Sequence, residues 1–383
     1  MDAAALPRVD VVVTTIGRGD FIEAYADVIE RTGAAASARL VVIPDRRTPA
    51  DLHDHARRAA ARGVTVVVPS IDEQDDLLRR LGVPGLVPYD SDNRRNVGYL
   101  LAWASDAEYV VSIDDDNLPS SDSFLAAHAV VCGDDDEHDV LSCPSGWFNP
   151  CDLLDAGEPS PRIYARGFPY SQRDGSVDGA GETVERAPAR VRINAGLWSG
   201  DPDVDAVTRL ALQPTVQARD PRAVVLERGT WAPVNSQNTA LHRDAIPAYY
   251  FVRMGYPLFG QRVDRFGDIF SGYFVQACAK HLGDAVRFGD PVTRHLRNDH
   301  ALLTDLVQEL PGILAVEDLL DWLRECRLEG ATYADAYRSL SHALDEVAEE
   351  LAAPRWTPDA RGFLHQTAHL MRRWLDAVER AAP

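Results

Sequence analysis

The chain has 383 residues, of which 45% are hydrophobic, and its formal net charge is −20. This length is enough for one large domain with an appendage or for two domains, and the hydrophobic content excludes a disordered chain. The strong negative charge argues against a general binder of nucleic acids or anionic membranes. It does not exclude a phosphorylated ligand, because a metal ion or a local Arg cluster can bind one.

The usage of Lys, Arg and Cys points to a cellular context. Lys280 is the only Lys, a bias toward Arg that suggests a high-GC bacterial genome. The cysteines are scattered without a metal-binding spacing, as expected in a reducing cytosol. No signal-peptide pattern and no run long enough to cross a membrane is visible. We therefore expect a soluble cytoplasmic protein with no membrane partner, and the sequence leaves open whether it forms a homo-oligomer.

Short β-branched runs alternate with helical patterns in the first third of the chain. The predicted strands and helices are, in chain order, strand 9–13, helix 20–31, strand 39–43, helix 51–62, strand 64–68, helix 96–105 and strand 109–113. This alternation with apolar strands predicts a Rossmann-like parallel sheet covered on both faces. The loops that follow the strands then place Thr14, Thr15, Asp45 and Asp114 on one edge of that sheet.

The rest of the chain has a different character. Residues 141–299 are dense in Gly, Pro and Trp, and we expect irregular segments with a mobile excursion at 175–190. From 301 onward apolar residues recur every three or four positions, which predicts three or four helices. We therefore predict an α/β domain over 1–300, with a nucleotide-binding half (1–140) and a sugar and acceptor half (141–300). A helical appendage over 301–383 follows, outside the donor site.

Asp114 and Asp116 directly follow the fourth predicted strand. The strand fixes the backbone, so the carboxylates project at its C-terminal end, where α/β proteins bind ligands. Two carboxylates one residue apart can hold a divalent cation that neutralises a diphosphate, an Asp-x-Asp pattern typical of nucleotide-sugar glycosyltransferases. His295 could complete this site, since carboxylates and imidazole suit Mn²⁺, or it could be structural. The alternative for the acidic pair is a solvated loop, which is our interpretation of residues 134–136.

Two further candidates belong to the nucleotide-binding half. Asp45 closes the second strand and can accept hydrogen bonds from a base or a ribose; the alternative is that it caps the next turn. Arg95 opens a helix after Arg94 and suits phosphate geometry; the alternative is a surface basic pair. The sequence contains no phosphate-binding P-loop, no strand-linked Gly-x-Gly-x-x-Gly and no Gly-x-Ser-x-Gly, which disfavours NTPases, dinucleotide oxidoreductases and serine hydrolases.

The sugar and acceptor half offers four candidates. Arg166 lies in an aromatic, Pro-constrained segment, where burial is costly without an anion, or else it stacks on a ring with its head in solvent. Trp198 and Asn238 lie in stretches that mix Trp, Gly and amides, which suits either a sugar site or a polar-lined loop core. Asp268 stands at the start of an apolar helix, where it could be the N-cap.

Taken together, these stretches resemble the reversibly glycosylated polypeptide family, which includes the plant UDP-arabinopyranose mutases (glycosyltransferase family 75). The resemblance runs from about Val9 to Asn298. Its motifs are Thr15-Ile16 with Asp20-Phe21, the strand ending in Asp45, Arg95 with Gly98-Tyr99, Ile113-Asp114-Asp115-Asp116, Arg166-Gly167-Phe168-Pro169-Tyr170-Ser171, Gly196-Leu197-Trp198 with Asp203 and Asp205, then Asn238, Asp268, Gly272 and His295. Asn117 stands where the plant members have Cys, and Gly267 where they have the first of two adjacent Asp.

The resemblance implies a GT-A fold, a UDP-sugar donor and Mn²⁺ or Mg²⁺. It also implies roles for the matching residues. The nucleotide and sugar would be bound by Thr15, Asp45, Arg95, Asp114, Asp115, Trp198 and Asn238, and the metal by Asp114 (through water), Asp116 and His295. Asp268 would orient sugar hydroxyls or an acceptor. Arg166, at the position that becomes glycosylated in the family, would lie beside the anomeric carbon or the diphosphate.

Three functions follow as hypotheses. The first is a metal-dependent glycosyltransferase that moves a sugar from a nucleotide-diphosphate sugar to a small-molecule or peptide acceptor. The second is a UDP-sugar mutase, or a self-glycosylating protein, that uses Arg166. The third is a non-catalytic protein that binds a nucleotide sugar and turns nothing over.

Overall fold

A computed structural model describes residues 6–157, 162–173, 181–218, 223–297 and 301–382. Its first third alternates strands and helices as predicted. The elements are β1 (Val9–Thr15), α1 (Phe21–Arg31), β2 (Ala38–Pro44), α2 (Asp51–Ala61), β3 (Thr65–Val67), α3 (Ile71–Arg80), α4 (Arg95–Trp103) and β4 (Tyr109–Asp114). Helix α3 was not predicted, although Ser70 and Glu73 form a capping box that marks its start in the sequence.

The middle third contains more regular structure than its composition suggests. Its elements are β5 (Asn117–Pro119), α5 (Phe124–His128), β6 (Asp136–Ser142), β7 (Leu154–Asp155), β8 (Thr183–Ala189), β9 (Val191–Gly200), α6 (Ala206–Leu212), β10 (Gln217–Ala218), β11 (Val224–Leu226), β12 (Asn238–His242), β13 (Pro257–Leu258), β14 (Gln261–Arg262), α7 (Gly267–Leu282) and β15 (Ala285–His295). The long strands β9 and β15 pair in parallel through the centre of the sheet. The expectation of irregular segments was therefore wrong for this core.

Two loop predictions also need correction. Residues 175–180 of the predicted excursion lie outside the described residues, but β8 within it pairs antiparallel with β6 along its whole length. Strand β8 lies at the edge of the sheet and most of its residues are exposed, so this position accommodates a polar sequence. Asp136 begins β6 and is therefore not in a loop, whereas Asp134 is exposed and pairs with Arg192.

The main sheet has the order β3-β2-β1-β4-β12-β9-β15-β11-β6-β8, with β5 added on β15. Strands β3, β2, β1 and β4 are parallel, and β12 then runs antiparallel between β4 and β9. The central residues of β1 are buried on both faces, as the near-continuous apolar run requires. The predicted α/β class with a mostly parallel sheet is confirmed: β1 to β4 pair in parallel, and the acidic motif lies at the end of β4.

The last third forms the helices α8 (Leu302–Glu325), α9 (Tyr333–Glu350) and α10 (Pro358–Ala381). Trp374 in α10 is fully buried and donates its indole N–H to the carbonyl of Pro247 at 3.0 Å, and the indole of Trp103 donates to the carbonyl of Val378 at 2.9 Å. The helices therefore share one apolar core with the sheet. The boundary at residue 300 stays a prediction. Within the described residues, no helix is long and apolar enough to cross a membrane.

Gly98 sets the close packing of α4 on the sheet. A Cβ at this position would lie 2.4 Å from Val12 Cγ1 and 3.2 Å from Ile43 Cγ1. We expect Gly98→Ala to destabilise the protein by about 1–3 kcal/mol through overpacking. Gly362, in the second turn of α10, serves as the control, because a Cβ added there would meet no neighbouring atom within 4 Å. Gly362→Ala should stabilise by about 0.5–1 kcal/mol. Urea unfolding measures both, and equal effects would contradict this packing.

Candidate active site

A pocket of about 260 Å³ lies at the carboxyl ends of β1, β2 and β4. The residues that line it are Thr14, Thr15, Ile16, Asp45, Arg47, Asp90, Ser91, Asp92, Arg95, Asp114, Asp115 and Asp116. The structure thus brings together the residues that the sequence analysis placed on one sheet edge. Parallel strands end at the same edge, so side chains far apart in sequence converge there. We call it the strand-end pocket.

Three larger cavities lie elsewhere among the described residues. The first, of about 770 Å³, lies beside Lys280 and the end of α8, and the second, of about 760 Å³, lies beside Trp103 and the start of α9. The third, of about 370 Å³, lies beside the end of β3 and α3. The first contains Lys280, whose ammonium donates to the carbonyls of Glu227, Arg228 and Thr230. Those three bonds use all of its protons. None of the three gathers carboxylates from the ends of several parallel strands, so the smaller pocket is the better candidate site.

Arg95 anchors the floor of the strand-end pocket. Its side chain is only 3% exposed and forms an ion pair with Asp114. It also donates to Ser112 Oγ at 2.9 Å and to the carbonyl of Ser236 at 2.7 Å. Burial alone would lower the pKa of Arg95, but the Asp114 carboxylate outweighs it and raises that pKa. Arg94 is also buried, so the alternative of a surface basic pair is wrong.

The three consecutive carboxylates have different environments. Burial raises the pKa of Asp114, with Asp116 adding to the rise and Arg95 opposing it. Burial also raises the pKa of Asp115 to about 6, although Asp115 accepts a hydrogen bond from Thr15 Oγ1. Asp116 behaves oppositely: burial would raise its pKa, but the hydrogen bond and charge of His295, together with the Asn117 amide, outweigh burial and lower it. The pocket therefore concentrates negative charge that a bound cation would relieve.

Strand pairing brings His295 to Asp116. His295 is opposite Asn117 in the antiparallel β15–β5 pair, and His295 Nε2 lies 3.4 Å from Asp116 Oδ2. His295 Nδ1 lies 2.7 Å from the carbonyl oxygen of Asp201, so Nδ1 carries the proton, since a carbonyl can only accept. Burial lowers the pKa of His295, but the Asp116 carboxylate outweighs burial and raises it. The pKa of His295 rises because a protonated imidazole is stabilised by the neighbouring Asp116 carboxylate.

Asn117 fixes the other oxygen of Asp116. The Asn117 amide donates to Asp116 Oδ1 at 3.0 Å and accepts from Thr293 Oγ1 at 3.0 Å. Asn117 is fully buried, and its carbonyl accepts from the hydroxyl of Tyr25 at 2.8 Å. Because Oδ1 is held by this amide, Oδ2 is left facing His295. In the sequence Asn117 differs from the family pattern, and no role was predicted for it.

The residues around Asp116 fit a divalent cation, but only in part. No group of three or more His, Cys, Asp or Glu side chains within the described residues is arranged to hold a metal ion. Asp116 and His295 supply two ligands, and His295 has the Nδ1–H to carbonyl bond that usually orients a metal-binding imidazole. Asp114 is engaged by Arg95. Two protein ligands suit an ion whose remaining ligands are phosphate oxygens and water.

Asp45 serves the turn and the pocket together. Its carboxylate accepts from the backbone N–H of Arg46 at 2.7 Å and of Ser91 at 3.2 Å. Asp45 therefore caps the turn that follows β2, as the alternative interpretation proposed. Asp45 also lines the pocket, so it joins the segment at Ser91 to the end of β2. The arrangement is compatible with contact to a nucleoside.

Arg166 is held between two carboxylates, Asp203 and Asp268, and we call this trio the Arg166 clamp. Nε donates to Asp203 Oδ1 at 2.8 Å and Nη2 to Asp203 Oδ2 at 3.1 Å. Nη1 and Nη2 donate to Asp268 at 2.9 and 2.5 Å, and Nη1 also donates to the carbonyl of Arg265. These five bonds match the five N–H groups of a guanidinium. Burial opposes the charge, but the two carboxylates outweigh it and raise the pKa of Arg166.

The contacts of the Arg166 clamp decide between the alternatives stated for Arg166 and Asp268 and show what Asp203 contacts. An anion does accompany Arg166, but the protein itself supplies it, and the alternative of a guanidinium in solvent is wrong because the side chain is 10% exposed. Asp268 is not the N-cap of α7, because that position is Phe266. Asp203 was matched to the family without an assigned role. Its spacing from Arg166 gives no local signal of their contact.

The segment Asn235–Asn238 connects the clamp to the strand-end pocket. The Asn235 amide donates to Asp203 at 2.6 Å, and the Gln237 amide lies 3.2 Å from His295 Nε2. The Gln237 carbonyl accepts from the backbone N–H of Asp114 at 3.3 Å, beside the Ser236 carbonyl that accepts from Arg95. One segment therefore contacts both the strand-end pocket and the Arg166 clamp.

Two predicted ligand residues are not brought to the strand-end pocket. Asn238 is buried, and its amide bonds to the carbonyls of Leu197 and Pro291 and to His128. The Asn238 amide is therefore used in hydrogen bonds within the fold. Trp198 is 5% exposed and lines a small cavity with Arg166 and Asp203, and its indole N–H has no partner among the described residues. Trp198 therefore lies on the Arg166 side of the site.

The clamp predicts a large stability effect. Arg166→Met would leave two buried carboxylates without their cation, so we expect a loss of about 3–5 kcal/mol in the free energy of unfolding. The double variant Arg166→Met/Asp203→Asn should lose less than the sum of the two single variants, because one unpaired charge is removed. Arg186→Met is the control, since Arg186 and Asp139 form an exposed pair. Additive losses in urea unfolding would show that the clamp is not a unit.

Solved structures with partial similarity include glucosyl-3-phosphoglycerate synthase from Mycobacterium tuberculosis. Its complex with Mn²⁺, UDP and glucosyl-3-phosphoglycerate is 14% identical, with a TM-score of 0.41, and the alignment covers 85% of this chain and 82% of that one. A TM-score this low does not support an assignment of function.

Sequence relatives cover nearly the whole chain. UDP-arabinopyranose mutase 1 from Arabidopsis thaliana is 26% identical over 388 residues, covering 98% of this chain and 93% of the relative. UDP-arabinopyranose mutase 1 from Oryza sativa subsp. japonica is 26% identical over 386 residues, covering 98% and 92%. The family model described as reversibly glycosylated polypeptide matches residues 7–382, which includes the helical tail beyond the last motif of the resemblance. This chain therefore belongs to the reversibly glycosylated polypeptide family.

Proposed function

We propose that this protein is a UDP-sugar-dependent enzyme that binds its donor in the strand-end pocket. The observation that carries the proposal is the convergence of Arg95-bound Asp114 with the Asp116–His295 pair at the carboxyl ends of parallel strands. Such an edge is where open α/β sheets bind nucleotides. Membership of a family whose relatives are named UDP-arabinopyranose mutases supports UDP as the nucleotide.

Different residues of the strand-end pocket would bind different parts of the donor. Asp45 and Thr15 would contact the nucleoside, and Asp114, oriented by Arg95, would accept from the ribose or from a metal-bound water. Asp116 and His295 would hold Mn²⁺ or Mg²⁺. When bound, that ion would neutralise the diphosphate and favour its departure. The protein's own contribution is orientation: Asn117 holds Asp116 Oδ1 and the Asp201 carbonyl holds His295 Nδ1.

The first candidate reaction is glycosyl transfer to a small-molecule or peptide acceptor. The bond between the anomeric carbon and the β-phosphate oxygen breaks, a bond from that carbon to the acceptor forms, the acceptor loses a proton and UDP leaves. Arg166 would act as a fixed positive charge near the sugar, with Asp268 beside it. The five engaged N–H groups and raised pKa of Arg166 favour this role over attack on the sugar by its nitrogen.

The second candidate is a UDP-sugar mutase, in which the same bond breaks and re-forms so that UDP-sugar is conserved overall. The near full-length similarity to proteins named mutases favours it. In that reaction Arg166 would have to leave at least one of its carboxylates if it were to carry the sugar, because its N–H groups are all engaged. The release of free UDP distinguishes the two reactions. A protein that binds donor without either reaction would be a nucleotide-sugar sensor.

We expect UDP and Mn²⁺ to bind with mutual dependence. In calorimetry, removal of Mn²⁺ with EDTA should weaken UDP binding by at least roughly tenfold, or about 1.4 kcal/mol, because the pocket's carboxylates then repel the diphosphate. Asp116→Asn should lose the gain from Mn²⁺. Asp135→Asn, at an exposed acidic residue outside the pocket, is the matched control and should bind as the native protein does. Equal UDP affinity in Mn²⁺ and in EDTA would refute the metal role.

We expect turnover without a stable adduct on Arg166. The native protein is incubated with a panel of UDP-sugars, with release of UDP and the intact mass measured on the same samples. UDP release with an unchanged mass is the expected result. A stoichiometric sugar adduct that disappears in Arg166→Lys would establish the mutase-like use of Arg166 instead. Full activity in Arg166→Ala would remove Arg166 from the site.

A further inference from the structure

Helix α8 contacts the segment that carries Arg166. The Glu317 carboxylate accepts hydrogen bonds from the backbone N–H of Tyr170 and, at 3.2 Å, from that of Ser171. Hydrogen bonds between backbone N–H groups and an ionised carboxylate are stronger than those between neutral groups. These bonds fix the start of the short 3-10 helix Tyr170–Gln172, four residues beyond Arg166. A residue of the helical tail thus holds the loop of the clamp.

The same helix also supports the two carboxylates of the clamp. Glu309, which is 2% exposed, accepts from the backbone N–H of Ala206 at 2.8 Å and from Arg265 Nε at 3.1 Å. Ala206 lies three residues beyond Asp203, and the Arg265 carbonyl itself accepts from Arg166. Glu309 therefore connects α8 to both sides of Arg166.

Gly312 brings α8 close to the start of α7. A Cβ at Gly312 would lie 2.4 Å from the ring of Phe266, the N-cap residue two positions before Asp268. Phe266 is fully buried, so its ring has no room to yield. The close approach positions the first turn of α7, and with it Asp268, against the helical tail.

We propose that α8 is a positioning element for the Arg166 clamp and that Glu317 is its principal positioning residue for the Arg166 loop. The expected effect on catalysis rests on the proposed function, whereas the positioning of the Arg166 loop by Glu317 does not depend on it. None of the residues lining the strand-end pocket comes from α8. Loss of Glu317 should therefore disturb the sugar side of the reaction and spare the binding of UDP.

The experiment compares Glu317→Ala and Glu317→Gln with the control Glu325→Ala in the full chain. Glu325 lies on the same helix and is exposed. Gln keeps an oxygen that can accept from Tyr170 and Ser171, whereas Ala does not. The readouts are amide hydrogen exchange across residues 162–173, UDP affinity by calorimetry with Mn²⁺, and kcat and KM with the UDP-sugar that the native protein turns over.

In Glu317→Ala we expect faster exchange confined to the 162–173 segment, unchanged UDP affinity and a kcat lowered by roughly tenfold to a hundredfold. Glu317→Gln should recover most of both effects, and Glu325→Ala should match the native protein.

Native exchange across 162–173 in Glu317→Ala would overturn the proposal, and so would faster exchange in that segment combined with a native kcat. If Glu317→Ala does not fold, Glu317→Gln and Glu325→Ala are compared with the native protein. Native exchange and native kcat in both variants support the proposal. A loss of exchange protection or of kcat in Glu325→Ala overturns it. Absence of turnover in the native protein would refute the proposed function alone, because the exchange result stands without it.

Discussion

The ion pair between the buried guanidinium of Arg95 and Asp114 is the interaction on which the rest of the candidate site depends. A guanidinium that is 3% exposed requires a complete set of acceptors, and Arg95 takes them from Ser112, Asp114 and the Ser236 carbonyl. These acceptors belong to β4 and to the segment before β12, so one side chain from α4 fixes both. The end of β4 at Asp114 is thereby fixed, and Asp116 lies in the turn between β4 and β5, where the Asn117 amide holds it.

From that anchor, contacts run through the whole site. The Asn235–Asn238 segment meets Asp114 and His295 on one side and Asp203 on the other. A donor with its diphosphate at Asp116 would therefore extend toward the Arg166 clamp, where a positive charge is already paired by two carboxylates. All five N–H groups of Arg166 are engaged in the clamp, which favours an electrostatic role for this residue. The tail contributes through α8, which contacts the Arg166 clamp without lining the strand-end pocket.

The sequence was sufficient to predict features that depend on local pattern. The strands β1 to β4, the acidic residues at the end of β4 and the helical tail follow from apolar periodicity and strand-end chemistry. The Asp116–His295 pair was also predicted, but from a resemblance and from ligand chemistry. Contacts that depend on distant pairing were not predictable: Asp203 beside Arg166, Asn117 on Asp116 and Glu317 on Tyr170 join residues with no shared pattern. For Asn238 the sequence showed an amide near Trp and Gly, and the structure shows that β12 buries it among carbonyls.

The central claim is that Asp116 and His295 hold a divalent cation together with the donor's diphosphate. Paramagnetic resonance of Mn²⁺ measures this directly, because the signal of the free ion falls when the protein binds it. The account predicts that UDP increases the uptake of Mn²⁺ by the native protein well beyond that of UDP alone, and that His295→Gln loses most of this increase. Equal uptake by the native protein and by His295→Gln in the presence of UDP would contradict it.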